Sequence, residues 1–329
     1  MNNEKVKVSK KSIFAVGGAL AAIAGLYVST LGGTAIANPT LNQQKSQLIA
    51  SRQKLTEVTM AFPSRKDAPE LQNQVKKVTN FLSKELGIKV KGQISSSSAA
   101  TVEAMRRNTV DIAFLSSRPA AKAAELANAR LHLAEVRPKY SSRYTYCSIF
   151  VVRKDSPLQA TRSAKANLEQ LRGKRIAFTS PTSSSGYLYP MNELVKQRLV
   201  SSRDRVKDFF SDVSYGGSYT KAAQAVIRGR ADVAAMSEYA QFPPYLSEQE
   251  GNQIRVLHRI CGVPAHGVVF NDEIPVVWRE KIIQALQKLN KPENNKMLRD
   301  LYNSTELVRV DHNRHLKLTL EAQKRLGMD

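Results

Sequence analysis

The sequence predicts an α/β fold built as two related lobes. Three observations carry that prediction. Apolar stretches of strand length alternate with stretches of helical period along most of the 329 residues. A unit of small-residue turn, helix and Asp-led strand occurs twice. It runs through serines 95–98 to Thr109-Val110-Asp111-Ile112-Ala113-Phe114, and through Gly217-Ser218 to Arg230-Ala231-Asp232-Val233-Ala234-Ala235. Hydroxyl-rich turns also follow several strands, at the end of an α/β sheet where ligands bind.

The elements follow in order. Residues 1–37 read as an export signal. Lys5, Lys7, Lys10 and Lys11 precede an uncharged run over residues 12–31, and Ala35-Ile36-Ala37 is an A-x-A cleavage site. The run is near spanning length, so an uncleaved membrane anchor through residues 12–31 is the alternative. Either way a periplasmic or extracytoplasmic location is expected. No cysteine follows the run to support a lipid anchor. Residues 38–55 are polar and helix-compatible, a spacer or an extra helix.

Residues 58–62 read as a strand. Leu71, Val75, Val78, Phe81, Leu82 and Leu86 lie on one face of a helix over 71–86, which Gly87 closes. A strand at 88–94, a helix at 99–108, a strand at 111–115 and an Ala-rich helix at 118–130 follow. Residues 143–154 are the longest strand candidate. Strands are predicted at 175–179, 213–215, 232–236, 254–260 and 267–270. Helices are predicted at 188–200, 219–228, 275–289, 294–302 and 315–326. This rhythm predicts a largely parallel sheet.

The net charge of +22 implies an anionic partner. The first 37 residues hold only four of the lysines, so the charge belongs to the folded part. The basic residues are scattered, without aromatic interleaving or zinc-finger spacing, so nucleic acid is not the expected partner. Cys147 and Cys261 lie in apolar strand-like runs. Buried free thiols are the expectation there, with a disulfide as the alternative. His132, His258, His266, His312 and His315 form no metal-ligand spacing. No nucleophile–base pair or paired carboxylates stand at a cleft-like position, so neither an enzyme nor a cofactor is expected.

The most informative stretch is Pro181-Thr182-Ser183-Ser184-Ser185-Gly186-Tyr187, between a strand and a helix. The first N–H groups of a helix lack internal partners and its dipole favours negative charge there. Hydroxyls add donors, and the absence of Lys separates the loop from a nucleotide P-loop. The plainer reading is that one serine caps the helix. Comparable turns at 95–98, 116–117 and 217–218 favour an oxyanion held between two lobes.

With these features the chain resembles the periplasmic phosphate-, phosphite- and phosphonate-binding proteins of ABC importers. The resemblance covers about residues 58–289. It rests on Gly173-Lys174-Arg175-Ile176-Ala177-Phe178, then Pro181 and Ser183-Ser184-Ser185-Gly186-Tyr187-Leu188-Tyr189-Pro190. The family has Ser-Thr-Ser-Gly-Tyr there, so Ser184 stands for its Thr. Residues 110–114, 146–156, 217–218, 232–235 and the Pro264 region support it.

The resemblance implies a two-lobe flytrap (type II solute-binding) fold with two crossover segments. Lobe 1 would be residues 56–142 plus 258–329, and lobe 2 residues 143–257. It implies anion contacts from Ser183, Ser184, Ser185 and Ser218. Ser98, Ser116, Ser117, Tyr219 and His266 complete the candidate site. Tyr219 stands where the family has His, a family Tyr is replaced near Ser98, and His266 replaces an acid. His266 is expected either to bring positive charge to the anion or to be a structural loop residue. The acid's loss disfavours aminoalkyl phosphonates. Tyr144, Tyr146, Tyr187 and Tyr215 are expected to pack more than to line the cleft. Arg118 is expected as a solvated helix-start residue, with a bidentate oxyanion donor as the alternative.

The implied function is capture of a small phosphorus oxyanion by a monomer that docks on an ABC permease. A ligand-sensing subunit of a membrane signalling system is the alternative.

Overall fold

A computed structural model describes residues 55–64, 68–137 and 144–328. The expected signal or anchor and most of the polar spacer lie outside these residues. Two mixed sheets organise the chain. The first contains β1 (Glu57–Pro63), β2 (Lys89–Ser95), β3 (Ile112–Leu115), β4 (Arg130–Val136), β10 (Gly267–Phe270) and β11 (Glu306–Arg309), ordered β2-β1-β3-β10-β4-β11. The second contains β5 (Thr145–Arg153), β6 (Arg175–Phe178), β7 (Asp212–Tyr215), β8 (Val233–Ser237) and β9 (Ile254–Pro264), ordered β7-β6-β8-β5-β9.

The repeat seen in the sequence is a repeat of structure. In the first sheet β1 runs parallel to β2 and β3, and β10 joins antiparallel to β3. In the second, β6 runs parallel to β7 and β8, and β5 joins antiparallel to β8. The expectation of largely parallel sheets therefore needs correction. Each sheet has a parallel trio, and the strand that enters from the other lobe joins it antiparallel.

The repeated Asp explains itself. Asp111 Oδ2 accepts from Thr59 N–H of β1 at 2.7 Å, and Asp232 Oδ2 accepts from Arg175 N–H of β6 at 2.8 Å. Each Asp N–H donates back to the same strand residue. Both carboxylates clip the start of one strand to its parallel neighbour. Their environments differ: the Arg175 side chain holds Asp232 below the usual carboxylate range, and burial raises Asp111.

Helices cover both faces of the first sheet. On one, α1 (Ala68–Leu86) buries Leu71, Val75, Val78 and Leu82 against the strands, beside α8 (Val276–Gln287) and α9 (Asn295–Tyr302). On the other lie α2 (Ser98–Arg106) and α3 (Ser117–Ala127), whose Val102, Met105 and Ala120 join a separate apolar cluster. In the second lobe α4 (Ala164–Glu169), α5 (Tyr189–Lys196), α6 (Tyr219–Ile227) and the single turn α7 (Glu248–Gly251) surround one core centred on Phe150, Phe178 and Met236.

Near the expected lobe boundary at residue 258, β9 stays paired with β5 as far as Pro264, and β10 then pairs with β3 of the first sheet. The C-terminal helix α10 (His312–Arg325) serves both lobes. Leu316 joins the first lobe's core and Ala322 the second's, and Thr319 Oγ1 meets Tyr189 OH at 3.0 Å. β4, α4 and β11 had no counterpart in the sequence reading.

The cysteines also overturn their expectation. Cys147 of β5 and Cys261 of β9 form a disulfide with a Cα–Cα distance of 4.0 Å. A register shift between Tyr146 and Ser148 brings them opposite each other. The bridge closes a loop of 114 residues that holds most of the second lobe. The Cys147→Ser/Cys261→Ser variant should lose about 2–5 kcal/mol of unfolding free energy. Urea unfolding of the two proteins measures this, and an unchanged midpoint would contradict it.

Candidate functional site

The carboxyl ends of the parallel trios face one another across a cavity of about 300 Å³. Four hydroxyl-bearing turns reach it: residues 95–98 after β2, Ser116 after β3, residues 179–183 after β6, and residues 217–220 after β7. Three of the turns end in helix caps made the same way. Ser97 Oγ accepts from Ala100 N–H at 3.1 Å, Ser183 Oγ from Gly186 N–H at 3.0 Å, and Ser218 Oγ from Lys221 N–H at 3.2 Å. A capping serine uses an oxygen lone pair, so its O–H remains a donor. Capping and anion binding are compatible roles. Ser95 Oγ is buried without a hydrogen-bond partner among the described residues. Gly217, at φ +82°, makes the turn into α6, a backbone region that favours glycine.

Of the residues anticipated as ligand contacts, Ser98, Ser116, Ser183, Ser218, Tyr219 and His266 line the cavity. Ser117, Ser184 and Ser185 stand behind it, fully buried. Ser117 Oγ donates to Ser184 Oγ at 3.1 Å, and Arg118 N–H donates to the same oxygen at 2.9 Å. The middle serine of the loop thus ties the second lobe to the first turn of α3. Ser185 Oγ lies 2.8 Å from Tyr219 OH, and its carbonyl accepts from Ser148 Oγ at 2.6 Å. Gly186 lies so close to Thr179 that a Cβ would collide with that side chain, and its carbonyl accepts from Thr179 N–H at 3.0 Å. The loop is therefore folded back on its own strand.

His266 does not bring positive charge. Burial, with Arg137 nearby, pushes its pKa down to about 3, so the ring is neutral at pH 7. Its Nε2 lies 3.0 Å from Tyr239 OH and 3.4 Å from Tyr146 OH. Arg118 does not line the cavity. It is half-buried beside Tyr187, at 5.9 Å from the ring centroid, and burial lowers its pKa. Tyr146 and Tyr187 are core residues, and Tyr144 and Tyr215 are exposed.

Other lining residues were not anticipated: Pro63, Ser64, Phe114, Glu135 and Tyr302 from the first lobe and Tyr245 from the second. Glu135, at the end of β4, forms a buried ion pair with Arg137, whose guanidinium lies 4.2 Å from the Tyr239 ring centroid. No Lys or Arg is among the described residues lining the cavity. The alternation Leu131-His132-Leu133-Ala134-Glu135-Val136 was the available signal for β4, and it would have set Glu135 at a strand's carboxyl end.

The family model for "ABC transporter, phosphonate, periplasmic substrate-binding protein" matches residues 60–316. The chain belongs to this family. Among curated members, the phosphonates-binding periplasmic protein of Escherichia coli is 27% identical over 239 residues, 70% of this chain and 66% of its own. The phosphate-import protein PhnD of Mycolicibacterium smegmatis is 25% identical over 177 residues, 53% of each chain. The chain thus spans less than two thirds of the length of these curated relatives. Among solved structures, PhnD1 from Prochlorococcus marinus in complex with methylphosphonate superposes with a TM-score of 0.71 at 17% identity, over 83% of this chain and 99% of its own. The two lobes therefore have the fold of periplasmic binding proteins.

The neutral His266 generates a pH prediction. The unfolded chain binds its proton near the ordinary value of 6.5, whereas the folded protein resists until about pH 3. Stability is full above 6.5 and is lost as pH falls toward 3. The His266→Asn variant should show a shallower loss of unfolding free energy between pH 6 and 4 than the parent. Chemical denaturation across that range tests it, and parallel curves would contradict it.

Proposed function

We propose that this protein captures a small phosphorus oxyanion (phosphate, phosphite or a short phosphonate) between its lobes outside the cytoplasm and delivers it to an ABC permease. The observation that carries this reading is the convergence of four hydroxyl-bearing turns, each opening a helix, on one cavity. Family membership supports the transport role, and the names of the curated relatives support the choice of ligand.

The mechanism is capture without bond making. An oxyanion entering the cavity exchanges its hydration shell for hydroxyls and helix N–H groups from both lobes. Water exclusion on closure then strengthens each hydrogen bond. A cavity of about 300 Å³ matches the liquid volume of about ten waters. That admits a tetrahedral oxyanion with a short substituent. The lobes in this reading are residues 56–137 with the chain from Ala265 onward, and residues 144–264, with α10 bridging them. Export through residues 1–37 belongs to the same reading.

Ser95 is a cleaner probe than the serine loop. Ser184 and Ser185 are buried in hydrogen bonds, so their removal disturbs the fold as well as the ligand. Ser95 Oγ caps nothing. Ser95→Ala should leave the ligand-free Tm unchanged and weaken oxyanion binding by about 1.5–3 kcal/mol. Calorimetric titration with phosphate, phosphite and methylphosphonate tests both parts. Unchanged affinity would remove Ser95 from the site, and no heat from any of the three with folded parent protein would overturn the proposed function.

A further inference from the structure

The second sheet is entered and left by neighbouring strands. β5 follows β4 of the first sheet, β9 precedes β10 of the first sheet, and β5 pairs with β9. Their ladder runs from Arg153 opposite Ile254 to Thr145 opposite Pro264, so both crossings between the sheets lie at one end of it. Close to that end the ladder is interrupted. Tyr146 faces Val263 and Ser148 faces Ile260, which leaves Cys147 opposite both Cys261 and Gly262, the latter at φ +88°. Such a bulge disrupts the backbone ladder and lets the strand bend. The disulfide sits in that gap and ties the strands where the ladder does not.

The segment beyond the disulfide reaches the cavity. Ala265 N–H donates to Tyr144 O at 2.8 Å, and the next residue, His266, lines the cavity. The Tyr146 ring, beside the bridge, lies 5.6 Å from the His266 ring. The two cysteines differ in access, since Cys261 is exposed and Cys147 is 8% exposed. Thiol–disulfide exchange depends on which sulfur can be attacked, and access favours Cys261.

We propose that the Cys147–Cys261 disulfide is a redox-addressable staple: a dithiol reductant opens it by attack at Cys261, and opening loosens the crossing strands and weakens oxyanion capture. The ligand half of this rests on the oxyanion reading of the cavity. The attacking thiolate forms a bond to Cys261 Sγ, and Cys147 leaves as a thiolate that takes up a proton. The reductant's second thiolate then displaces Cys261, which is protonated in turn. The disulfide gains two electrons and becomes two thiols, while the dithiol becomes a disulfide. The apolar core centred on Phe150, Phe178 and Met236 includes neither cysteine, so the second sheet keeps its packing while its crossing end slackens.

The test compares the full chain oxidised and after treatment with dithiothreitol, with phosphate, phosphite and methylphosphonate as probes. Without denaturant, both thiols should become titratable, and brief exposure to glutathione should leave its adduct on Cys261 by mass spectrometry. In the reduced protein, amide exchange at residues 260–266 should quicken at least ~10-fold, with little change at Phe150 and Val151. Calorimetric affinity for the probe that binds the oxidised chain should fall at least ~5-fold on reduction, because the binding-competent arrangement is less populated. Cys147→Ser/Cys261→Ser should bind at the reduced level with or without dithiothreitol. If that variant does not fold, reoxidation of the reduced parent should restore the affinity. Thiols that appear only in denaturant, an adduct on Cys147, unchanged exchange, or equal affinity of the two redox forms would overturn the proposal. No heat from any probe with folded, oxidised parent would instead overturn the oxyanion reading, and the exchange measurement would still judge the staple.

Discussion

A buried oxyanion must recover from the protein the hydrogen bonds it gives up in water. Under the proposed function, that constraint accounts for how the cavity is built. Each lobe supplies a parallel trio of strands, and the carboxyl ends of β2, β3, β6 and β7 lead at the cavity through hydroxyl-bearing turns into helices. Helix starts carry N–H groups without internal partners, and serines beside them carry O–H protons that capping leaves free. Donors thus come from elements fixed by the lobe cores.

The serine loop has a division of labour along its length. Ser183 faces the cavity while it caps the helix. Ser184 reaches the other lobe through Ser117 and Arg118. Ser185 steadies Tyr219, itself a cavity residue. Gly186 allows the loop to lie against Thr179. One short segment therefore links the ligand surface to the contact between lobes. In the proposed function, a ligand that draws on Ser183 and on the 95–98 turn together favours the same contact between lobes that Ser184 makes. The charge of +22 plays a different part in the proposed function, since no Lys or Arg among the described residues lines the cavity. A basic surface would draw anions toward the protein, and neutral donors would bind them.

The parts of this account that depend on local sequence were legible. The helical face of Leu71, Val75, Val78 and Leu82 follows a 3.6-residue period, and the serine turns follow recognisable strands. The repeated Asp pointed to two related lobes before its role as a strand clip was visible. What escaped depends on which strands become neighbours. Cys147 and Cys261 meet because β9 pairs with β5 through a shifted register. Glu135 reaches the cavity on β4, which joins the sheet beyond β10, and Tyr302 does so at the end of α9, packed against Phe114. The two readings of His266 could be separated only by its burial beside Arg137, which comes from elements far apart in the chain. The serine motif names residue types and is silent on which way each hydroxyl turns, so the hydrogen bonds of Ser184 and Ser185 to Ser117, Arg118 and Tyr219 were not legible in it.

The claim at the centre is that hydroxyls from both lobes together hold a phosphorus oxyanion. A crystal structure of the protein grown with methylphosphonate examines it most directly. The account predicts phosphonate oxygens within hydrogen-bonding distance of Ser95 or its neighbours in the 95–98 turn, of Ser116, and of Ser183 and Ser218 across the cavity. A phosphonate bound by one lobe alone, or bound outside this cavity, would contradict it.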